Sequence, residues 1–229
     1  MSAFGVLLHT LGRGRRPLSL RAQVAAQLDV HPLALVGTPA HVLRKLEKQV
    51  AFDELTRVTR RAPGMAALER EIARANRIAD MRLVVAFIDV DGLKRVNDTQ
   101  GHAGGDRLLR AVATSLQDRL RRQDLVFRYG GDEFVCVLPG ADLSSAERVL
   151  ERIRKEVAAT RGESFSVGLT ELRPGDDAAT LVQRADEALY ASRALRRLAS
   201  SSADALEGRL HRQPGAVRSK SEGRRPRLA

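Results

Sequence analysis

The stretch RYGGDEFVCVLP, from Arg128 to Pro139, places two glycines and two carboxylates ahead of an apolar run. With the preceding residues DLVF it predicts two short strands around a glycine turn, because strand-forming residues flank a Gly-Gly pair. Strands joined by so short a turn must be antiparallel. Asp132 and Glu133 are then adjacent acids at the tip of a hairpin, and their presence there needs a chemical reason.

The segments around this hairpin predict an α+β domain with a mixed sheet and helices packed on it. RLVVAFIDVD, residues 82–91, is apolar and β-branched, which predicts a strand buried on both faces. SFSVGLT, residues 164–170, predicts a further strand. Four segments show helical patterns. Residues 64–79 have Ala67, Glu71, Arg74 and Ile78 spaced by threes and fours, and residues 104–122 repeat Leu108, Val112, Leu116 and Leu120 every four positions. A third helix is expected after a capping box of Ser144 and Glu147, and a fourth over residues 176–197.

The positive charge of the chain lies at its two ends. The formal net charge is +11, yet residues 51–195 contain as many acidic as basic side chains. Aromatic residues are 3% of the chain and Trp is absent, which argues against a module that stacks single-stranded bases. We therefore predict no specific nucleic-acid partner for the central segment, and keep salt-sensitive binding by the basic ends as an alternative.

Cysteine usage and hydropathy predict a cytoplasmic protein without a transmembrane segment. Cys136 is the single cysteine, so no disulfide within the chain is expected, which fits a reducing compartment. No apolar run approaches the roughly 18 residues that a spanning helix needs.

The acids of two predicted strands would form a cation site if those strands are neighbours. Asp89 ends the first strand. Its carboxylate and those of Asp132 and Glu133 would repel each other unless a divalent cation bound them. Magnesium is the natural choice, since it binds a few carboxylates together with substrate phosphates. Gly130 and Gly131 are expected to supply positive φ angles and to let a large ligand approach the backbone.

The segment DVDGLKRVND, residues 89–98, supplies groups that suit a nucleoside triphosphate. Backbone N–H groups near Gly92 and the charge of Lys94 suit phosphates, and Asn97 and Asp106 suit a purine edge. Each feature alone has a plainer explanation, because GGDE is more often an ordinary turn and adjacent acids are usually a solvated face. Their joint occurrence in this order favours the metal and nucleotide interpretation.

RYGGDEF, together with DVDGLKRVNDTQGHAGGD upstream and RADEALYASR downstream, resembles the GGDEF domain family over residues 52–197. The resemblance implies a five-stranded, mixed and largely antiparallel sheet flanked by helices, similar to the palm of nucleotide cyclases and polymerases. It also implies a diguanylate cyclase that condenses two GTP into cyclic di-GMP with release of pyrophosphate, acting as a homodimer.

The resemblance also implies a role for each matching residue. Magnesium, or manganese, would be bound by Asp89, the carbonyl of Val90, Asp132 and Glu133, with Asp132 also accepting a proton. Guanine would be bound by Asn97, Asp106 and Leu55. The triphosphate would be bound by Lys94, Arg193 and Arg197, with Gly130 and Gly131 lining the site. Arg121 and Asp124 stand where the family has its inhibitory RxxD motif for the product.

The chain departs from the family pattern mainly before the first long helix. The usual LTGLxNRR is LTRVTRRA here, with Arg57 at the glycine position, Arg60 at the asparagine position and Gly64 where an aromatic residue often packs. Leu93 stands where Phe is frequent, and Arg193 stands where Lys is usual. None of these departures removes an implied metal ligand or guanine contact.

The flanking segments leave the mode of action open. Residues 1–51 are expected to form a short helical extension that serves dimerisation or signalling, and residues 198–229 a basic, disordered tail. The alternative function is a catalytically impaired GGDEF domain that binds GTP or cyclic di-GMP as a regulatory module.

Overall fold

A computed structural model describes residues 22, 24–25, 28, 30–43 and 51–210, with side chains described as far as residue 195. It divides into two units, residues 1–190 and residues 191–229. The strands are β1 (Thr59–Arg60), β2 (Leu83–Val90), β3 (Leu125–Arg128), β4 (Glu133–Pro139) and β5 (Phe165–Glu171). The helices are α1 (Arg61–Ala75), α2 (Leu93–Gln100), α3 (His102–Arg119), α4 (Leu143–Arg161) and α5 (Ala178–Leu210).

The five strands form one mixed sheet in the order β1-β3-β4-β2-β5. β1 runs parallel to β3, and every other neighbouring pair is antiparallel. β2 lies between β4 and β5 and has a buried core cluster on each face, which explains why its sequence is almost continuously apolar. The predicted α+β class, the mixed sheet and the antiparallel hairpin are therefore confirmed.

Alternation along β2 and β4 divides the core into two layers. Val84, Ala86 and Ile88 belong to one buried cluster, with α3 and α4, whereas Val85 and Phe87 belong to the other, with α1 and the first turns of α5. Because side chains alternate between the faces of a strand, the pairing register decides which face receives each residue.

The apolar stripe predicted for α3 is confirmed. The helix predicted over residues 64–79 corresponds to α1, although the four spaced residues are not its buried ones. Leu108, Val112 and Leu116 are buried on α3. On α1 the buried residues are instead Gly64, Leu68, Ile72 and Ala75, and Ile78 lies beyond the helix and is 48% exposed. The apolar side chains of α1 face the sheet, whereas the four spaced residues include two charged ones, of which Arg74 is exposed and Glu71 is partly buried.

The predicted capping box of α4 is displaced by two residues. Asp142 is the N-cap, its carboxylate accepts a hydrogen bond from the Ser145 N–H at 2.7 Å, and the Ser145 hydroxyl accepts one from the Asp142 N–H. Hydrogen bonds from Ser145 and from the Ser144 hydroxyl lower the pKa of Asp142 to about 2. An aspartate two residues earlier therefore outcompetes the serine, since its charge also complements the helix N-terminus.

The last helix is longer than the sequence pattern predicts. Residues 198–210, expected to be disordered, form the end of α5, whose bounds are Ala178–Leu210. The segment SSADALEGRL contains Ala, Leu, Glu and Arg, which favour helix. Their helix propensity offsets the lower propensity of its serines. Residues 211–229 of the expected tail lie outside the described residues.

The described part of the N-terminal extension contains a small apolar cluster. Val24, Ala25, Leu35 and Leu43 are buried together around a 3₁₀ helix, Pro32–Leu35. Most of the segment expected to serve dimerisation, including residues 44–50, lies outside the described residues. No helix among the residues that are described is long and apolar enough to cross a membrane.

The departures from the family pattern have local structural consequences. Arg57 has φ +61°, a left-handed conformation that favours the glycine it replaces. Arg60 is the N-cap of α1 but makes no side-chain capping bond, and its guanidinium donates to the Phe52 carbonyl at 2.9 Å instead. Gly64 lies against Phe127, whose Cγ would be 2.3 Å from a Cβ at position 64, so the Phe127 ring fills the space beside the helix.

We expect Arg57→Gly to raise the free energy of unfolding by about 1 kcal/mol, because relief of the left-handed strain exceeds the added freedom of glycine in the unfolded chain. Arg57→Val should lower the stability, since a branched side chain tolerates positive φ poorly. Urea unfolding of the two variants and the parent measures both effects. A glycine variant less stable than the parent would show that the exposed Arg57 side chain contributes more than its backbone conformation costs.

Candidate functional site

The candidate site lies where β2 ends and β4 begins. Asp89 is directly opposite Glu133 in the antiparallel register of these strands, and it is opposite Ser166 on β5. The Val90 N–H donates to the Asp132 carbonyl at 3.0 Å, which holds the tip of the hairpin against the end of β2. The sheet therefore brings together the acids that the sequence places 43 and 44 residues apart.

Glu133 lies among like charges. Burial raises the pKa of its carboxyl, and the neighbouring carboxylates of Asp132, Asp89 and Asp186 raise it further, whereas Arg61 lowers it. A raised pKa means that the ionised form is disfavoured in the absence of a cation. The electrostatics thus match the expectation that these acids need a positive partner.

The donor set suits a hard divalent cation that is completed by substrate. Within the described residues, no group of three or more His, Cys, Asp or Glu side chains could hold a metal ion by itself. Magnesium commonly takes one or two protein carboxylates and completes its shell with water and phosphate oxygens. The opposed pair Asp89 and Glu133, with the nearby backbone, fits that pattern better than it fits a closed protein cage.

The two glycines of the hairpin do not have the predicted positive φ angles. Neither Gly130 nor Gly131 is among the positive-φ glycines of the described chain. A Cβ at position 130 would lie 2.3 Å from a carboxylate oxygen of Glu133, so a side chain here would displace that carboxylate. At position 131 a Cβ would meet nothing within 4 Å, which leaves open space beside the turn.

Arg128 holds the acidic turn through hydrogen bonds, a role that the sequence did not reveal. Its guanidinium donates to the Gly131 carbonyl at 2.6 Å and to Asp53 at 2.9 Å. Burial alone would raise the pKa of Asp53, but hydrogen bonds from Thr56 and Arg128 outweigh it and lower the pKa. Since both members of the pair are largely buried, with side chains 17% and 21% exposed, the contact resists screening by salt.

Asp186 and Arg61 are further residues that the sequence analysis did not single out. Asp186 lies on α5 close enough to Glu133 to raise its pKa. Arg61 stacks on the Tyr129 ring at 3.9 Å and donates to its hydroxyl. Asp186 stands within the quoted RADEALYASR segment, but only the packing of α5 on the sheet places it here.

The turn after β2 presents the residues expected to bind a nucleotide. Gly92 has φ +74° and is the N-cap of α2, a helix that the sequence analysis did not predict. Lys94 is exposed in the first turn of this helix. Its positive charge is available at the same edge of the sheet as the acids.

Asn97 and Asp106 come together where α2 packs on α3. The Asn97 side-chain oxygen would lie 2.1 Å from a Cβ at Gly105, the residue before Asp106. Asp106 is half-buried and forms a loose ion pair with Arg110 at 3.6 Å. The Asn97 amide therefore lies beside the residue of α3 that precedes Asp106.

The other residues expected to bind substrate are Leu55, Arg193 and Arg197. Leu55 is partly buried against the core cluster that includes Val58 and α3. Arg193 and Arg197 lie on α5 beyond Tyr190, in the second unit, and the side chain of Arg197 lies outside the described residues.

Arg121 and Asp124 line a cleft of about 280 Å³. The Arg121 N–H donates to the Asp124 carboxylate at 2.8 Å, and the Asp124 N–H donates to the Arg121 carbonyl at 2.9 Å. Burial raises the pKa of Asp124. The cleft is bounded on its other sides by Phe52, Thr59, Gln117, Leu120, Arg122, Leu125 and Val126.

Comparison with known proteins gives one consistent family. The family model for "Diguanylate cyclase, GGDEF domain" matches residues 50–198. Diguanylate cyclase DgcP of Pseudomonas aeruginosa is 37% identical over 156 residues, covering 65% of this chain and 23% of that protein. Diguanylate cyclase DosC of Escherichia coli strain K12 is 43% identical over 151 residues, covering 62% and 33%. The chain thus matches about a quarter to a third of the length of these relatives.

Solved structures confirm the fold. The coiled coil and GGDEF domain of DgcB from Caulobacter crescentus, in complex with c-di-GMP, has a TM-score of 0.63 and 30% identity, covering 77% of this chain and 95% of that one. Diguanylate cyclase SiaD in complex with its activator SiaC from Pseudomonas aeruginosa has a TM-score of 0.58 and 34% identity, covering 77% and 73%.

We expect Gly105→Ala to weaken the binding of a guanine nucleotide roughly tenfold with little loss of stability, because the new methyl group displaces the Asn97 amide while alanine favours the helix. Calorimetric titration with GTP measures the affinity, and thermal unfolding measures the stability. In an Asn97→Ala background the same substitution should have little further effect. A Gly105→Ala variant with the affinity of the parent would show that the position of Asn97 does not matter for binding.

Proposed function

Since this chain belongs to the GGDEF domain family, we propose that it synthesises cyclic di-GMP from two molecules of GTP. The observation that carries the proposal is the placement of Asp89 opposite Glu133, with the backbone of Asp132 hydrogen-bonded to the end of β2. This arrangement offers oxygen ligands close to the first turn of α2, which carries Lys94. It matches the needs of phosphoryl chemistry, which depends on positioning and charge neutralisation.

Magnesium, or manganese in its place, would be held by Asp89, the Val90 carbonyl, Asp132 and Glu133. The raised pKa of Glu133 beside the other acids supports this assignment, because a bound cation would relieve their repulsion. When bound, the ion would neutralise phosphate charge and make the attacking hydroxyl more acidic.

The polar residues around the acids would orient one GTP. Asn97 and Asp106 would hydrogen-bond the guanine edge, with Leu55 against the base. Lys94 would bind the triphosphate as a compact charge, joined by Arg193 and Arg197. Open space beside Gly131 would allow the phosphates to approach the turn.

The reaction forms one bond and breaks one bond at each α-phosphate. The 3′-oxygen of one GTP bonds to the α-phosphorus of the other, the bond to the β-phosphate oxygen breaks, and pyrophosphate leaves. Asp132 would accept the proton of the attacking hydroxyl, and Glu133 would help to hold the α-phosphate in line. The 3′-hydroxyl of the second nucleotide then attacks the α-phosphate of the first in the same way, a second pyrophosphate leaves, and the ring is closed.

The reaction requires a homodimer, because each chain offers one GTP site and the two nucleotides attack each other. Two chains would face each other with their acidic turns opposed. The N-terminal residues 1–51 would control this pairing, since anything that joins or separates the chains sets the rate.

Product inhibition would act through Arg121 and Asp124. Both residues line the same cleft, and their backbone hydrogen bonds fix their spacing. An arginine guanidinium can bind a phosphate and a purine edge, and a half-buried carboxylate can accept from guanine.

A second function is a receptor that binds GTP or cyclic di-GMP without turnover. The observation that favours it is the altered segment before α1, with a strained Arg57 and an N-cap at Arg60 that lacks a side-chain bond. This segment precedes Arg61, whose charge acts on Glu133, so its distortion would reach the site.

We expect Asp132→Ala to lower cyclic di-GMP synthesis roughly 10²- to 10⁴-fold without unfolding the protein, because it removes the proton acceptor from a turn outside the core. Purified protein is incubated with GTP and magnesium, and the product is identified by mass spectrometry. Asp118→Ala, which removes an exposed acid from α3, serves as the matched control and should retain activity.

Loss of product in both variants would mean that the assay reports general damage. If the folded, dimeric parent forms no product but binds GTP, the receptor replaces the cyclase as the function. Unfolding of Asp132→Ala alone would show that the acidic turn is structural.

We expect Arg121→Ala to raise the level of cyclic di-GMP at which synthesis stops, because the cleft loses the arginine proposed to bind the product. Progress curves at several GTP concentrations measure that plateau. The initial rate should remain that of the parent. A plateau that does not move would exclude this cleft as the inhibitory site.

A further inference from the structure

The turn between β2 and α2 is tied to the segment that enters β5. The Asp91 N–H donates to the Ser164 carbonyl at 2.9 Å. The Ser166 hydroxyl donates to an Asp91 carboxylate oxygen at 2.7 Å, and Ser166 is 4% exposed. These contacts fix the backbone immediately after the candidate metal ligands, but they end before the residues of α2.

Glu163 extends this connection onto the helix. Its carboxylate pairs with the Arg95 guanidinium, and its side chain is only 15% exposed. Glu163 directly follows Gly162, the left-handed C-cap of α4, so the end of α4 determines where it lies. A carboxylate with so little contact with water needs a protein partner, and Arg95 provides it.

The same carboxylate lies against Gly92. A Cβ at position 92 would be 2.4 Å from a carboxylate oxygen of Glu163, so the absence of a side chain there makes room for the acid. Gly92 is the N-cap of α2 and provides no side-chain cap. A carboxylate close to a helix N-terminus is electrostatically favourable, and here it comes from another part of the chain.

Arg95 lies between Lys94 and Asn97 on α2. A short helix of eight residues has little stability of its own, so its first turn depends on contacts with the rest of the domain. Val96 supplies one such contact, since it is 6% exposed and packs in the core. The pair of Arg95 with Glu163 supplies a second contact on the charged side of the turn.

We propose that Glu163 is a positioning residue for GTP, which holds Lys94 and Asn97 in place through its ion pair with Arg95 and its contact with Gly92. The inference rests on the proposed function, because it takes Lys94 and Asn97 as ligands of the nucleotide. Glu163 itself does not touch the reacting groups.

The exposed position of Arg95 is also compatible with the opposite role, in which Glu163 weakens GTP binding. The experiment distinguishes the two roles. Arg95 is adjacent to Lys94 and 70% exposed, so it would serve as a second phosphate ligand if Glu163 did not hold it. In that case, removing the charge of Glu163 would strengthen GTP binding. A positioning role predicts that binding weakens.

The experiment compares Glu163→Gln, Arg95→Gln and the double variant in the full chain. Glutamine keeps the volume beside Gly92 and removes the charge. GTP affinity is measured by calorimetry with magnesium and a GTP analogue whose α–β phosphate linkage cannot be cleaved, so that turnover does not interfere. Hydrogen exchange of the amides of residues 92–97 is measured without nucleotide. The matched control is Glu156→Gln, which breaks an Arg–Glu pair between α3 and α4, where Arg119 binds Glu156.

We expect Glu163→Gln to weaken GTP binding roughly tenfold and Arg95→Gln to weaken it by no more, because only Glu163 also contacts Gly92. The double variant should bind GTP as Glu163→Gln does, since the ion pair is already broken in that single variant. Exchange of the 92–97 amides should become faster, and the control should match the parent in both measurements. In the active chain the KM for GTP should rise more than kcat falls.

Three results would overturn the proposal: tighter GTP binding by Glu163→Gln, losses that add in the double variant, or parent-like affinity and exchange. A parent chain that binds no GTP would instead refute the proposed function. In that case, faster exchange in Glu163→Gln alone would still support the role of Glu163 in holding the turn.

Discussion

The antiparallel pairing of β2 with β4 is the constraint on which the candidate site depends. It places Asp89 opposite Glu133 and, by the same register, separates the apolar residues of both strands into two core layers. A slip of one residue would move every side chain of a strand to the other face. Burial of the two layers therefore forces the acids together, although their mutual repulsion opposes it.

Two arginine–carboxylate pairs hold the segments that surround the site. Arg128 holds the acidic turn through the Gly131 carbonyl and Asp53, and Glu163 holds the turn before α2 through Arg95. Both contacts join segments that are far apart in the chain, and in each a largely buried carboxylate is compensated by an arginine. A rigid sheet with turns fixed in this way suits a site that must orient a flexible, highly charged nucleotide.

The elements predicted most accurately are those whose pattern reflects burial. β2 and the stripe of α3 were predicted because continuous and four-residue apolar repeats arise from contact with a core. The strand β1 has two residues and α2 is polar, so neither has a pattern of sufficient length. The predicted capping box of α4 is misplaced because Asp142 and Ser144 both suit an N-cap, and the charge of the aspartate favours Asp142 at the helix N-terminus.

For the candidate site, the sequence alone determined the residue types: the acids Asp89, Asp132 and Glu133, the cation Lys94, and the polar pair Asn97 and Asp106. It also determined their order, which carries the family resemblance. The tertiary structure decided that Gly130 lies against the Glu133 carboxylate rather than at a positive φ, and that Asp186, Arg128 and Glu163 join the site or support it. These features depend on distances between segments remote in the chain, which local periodicity and propensity do not encode.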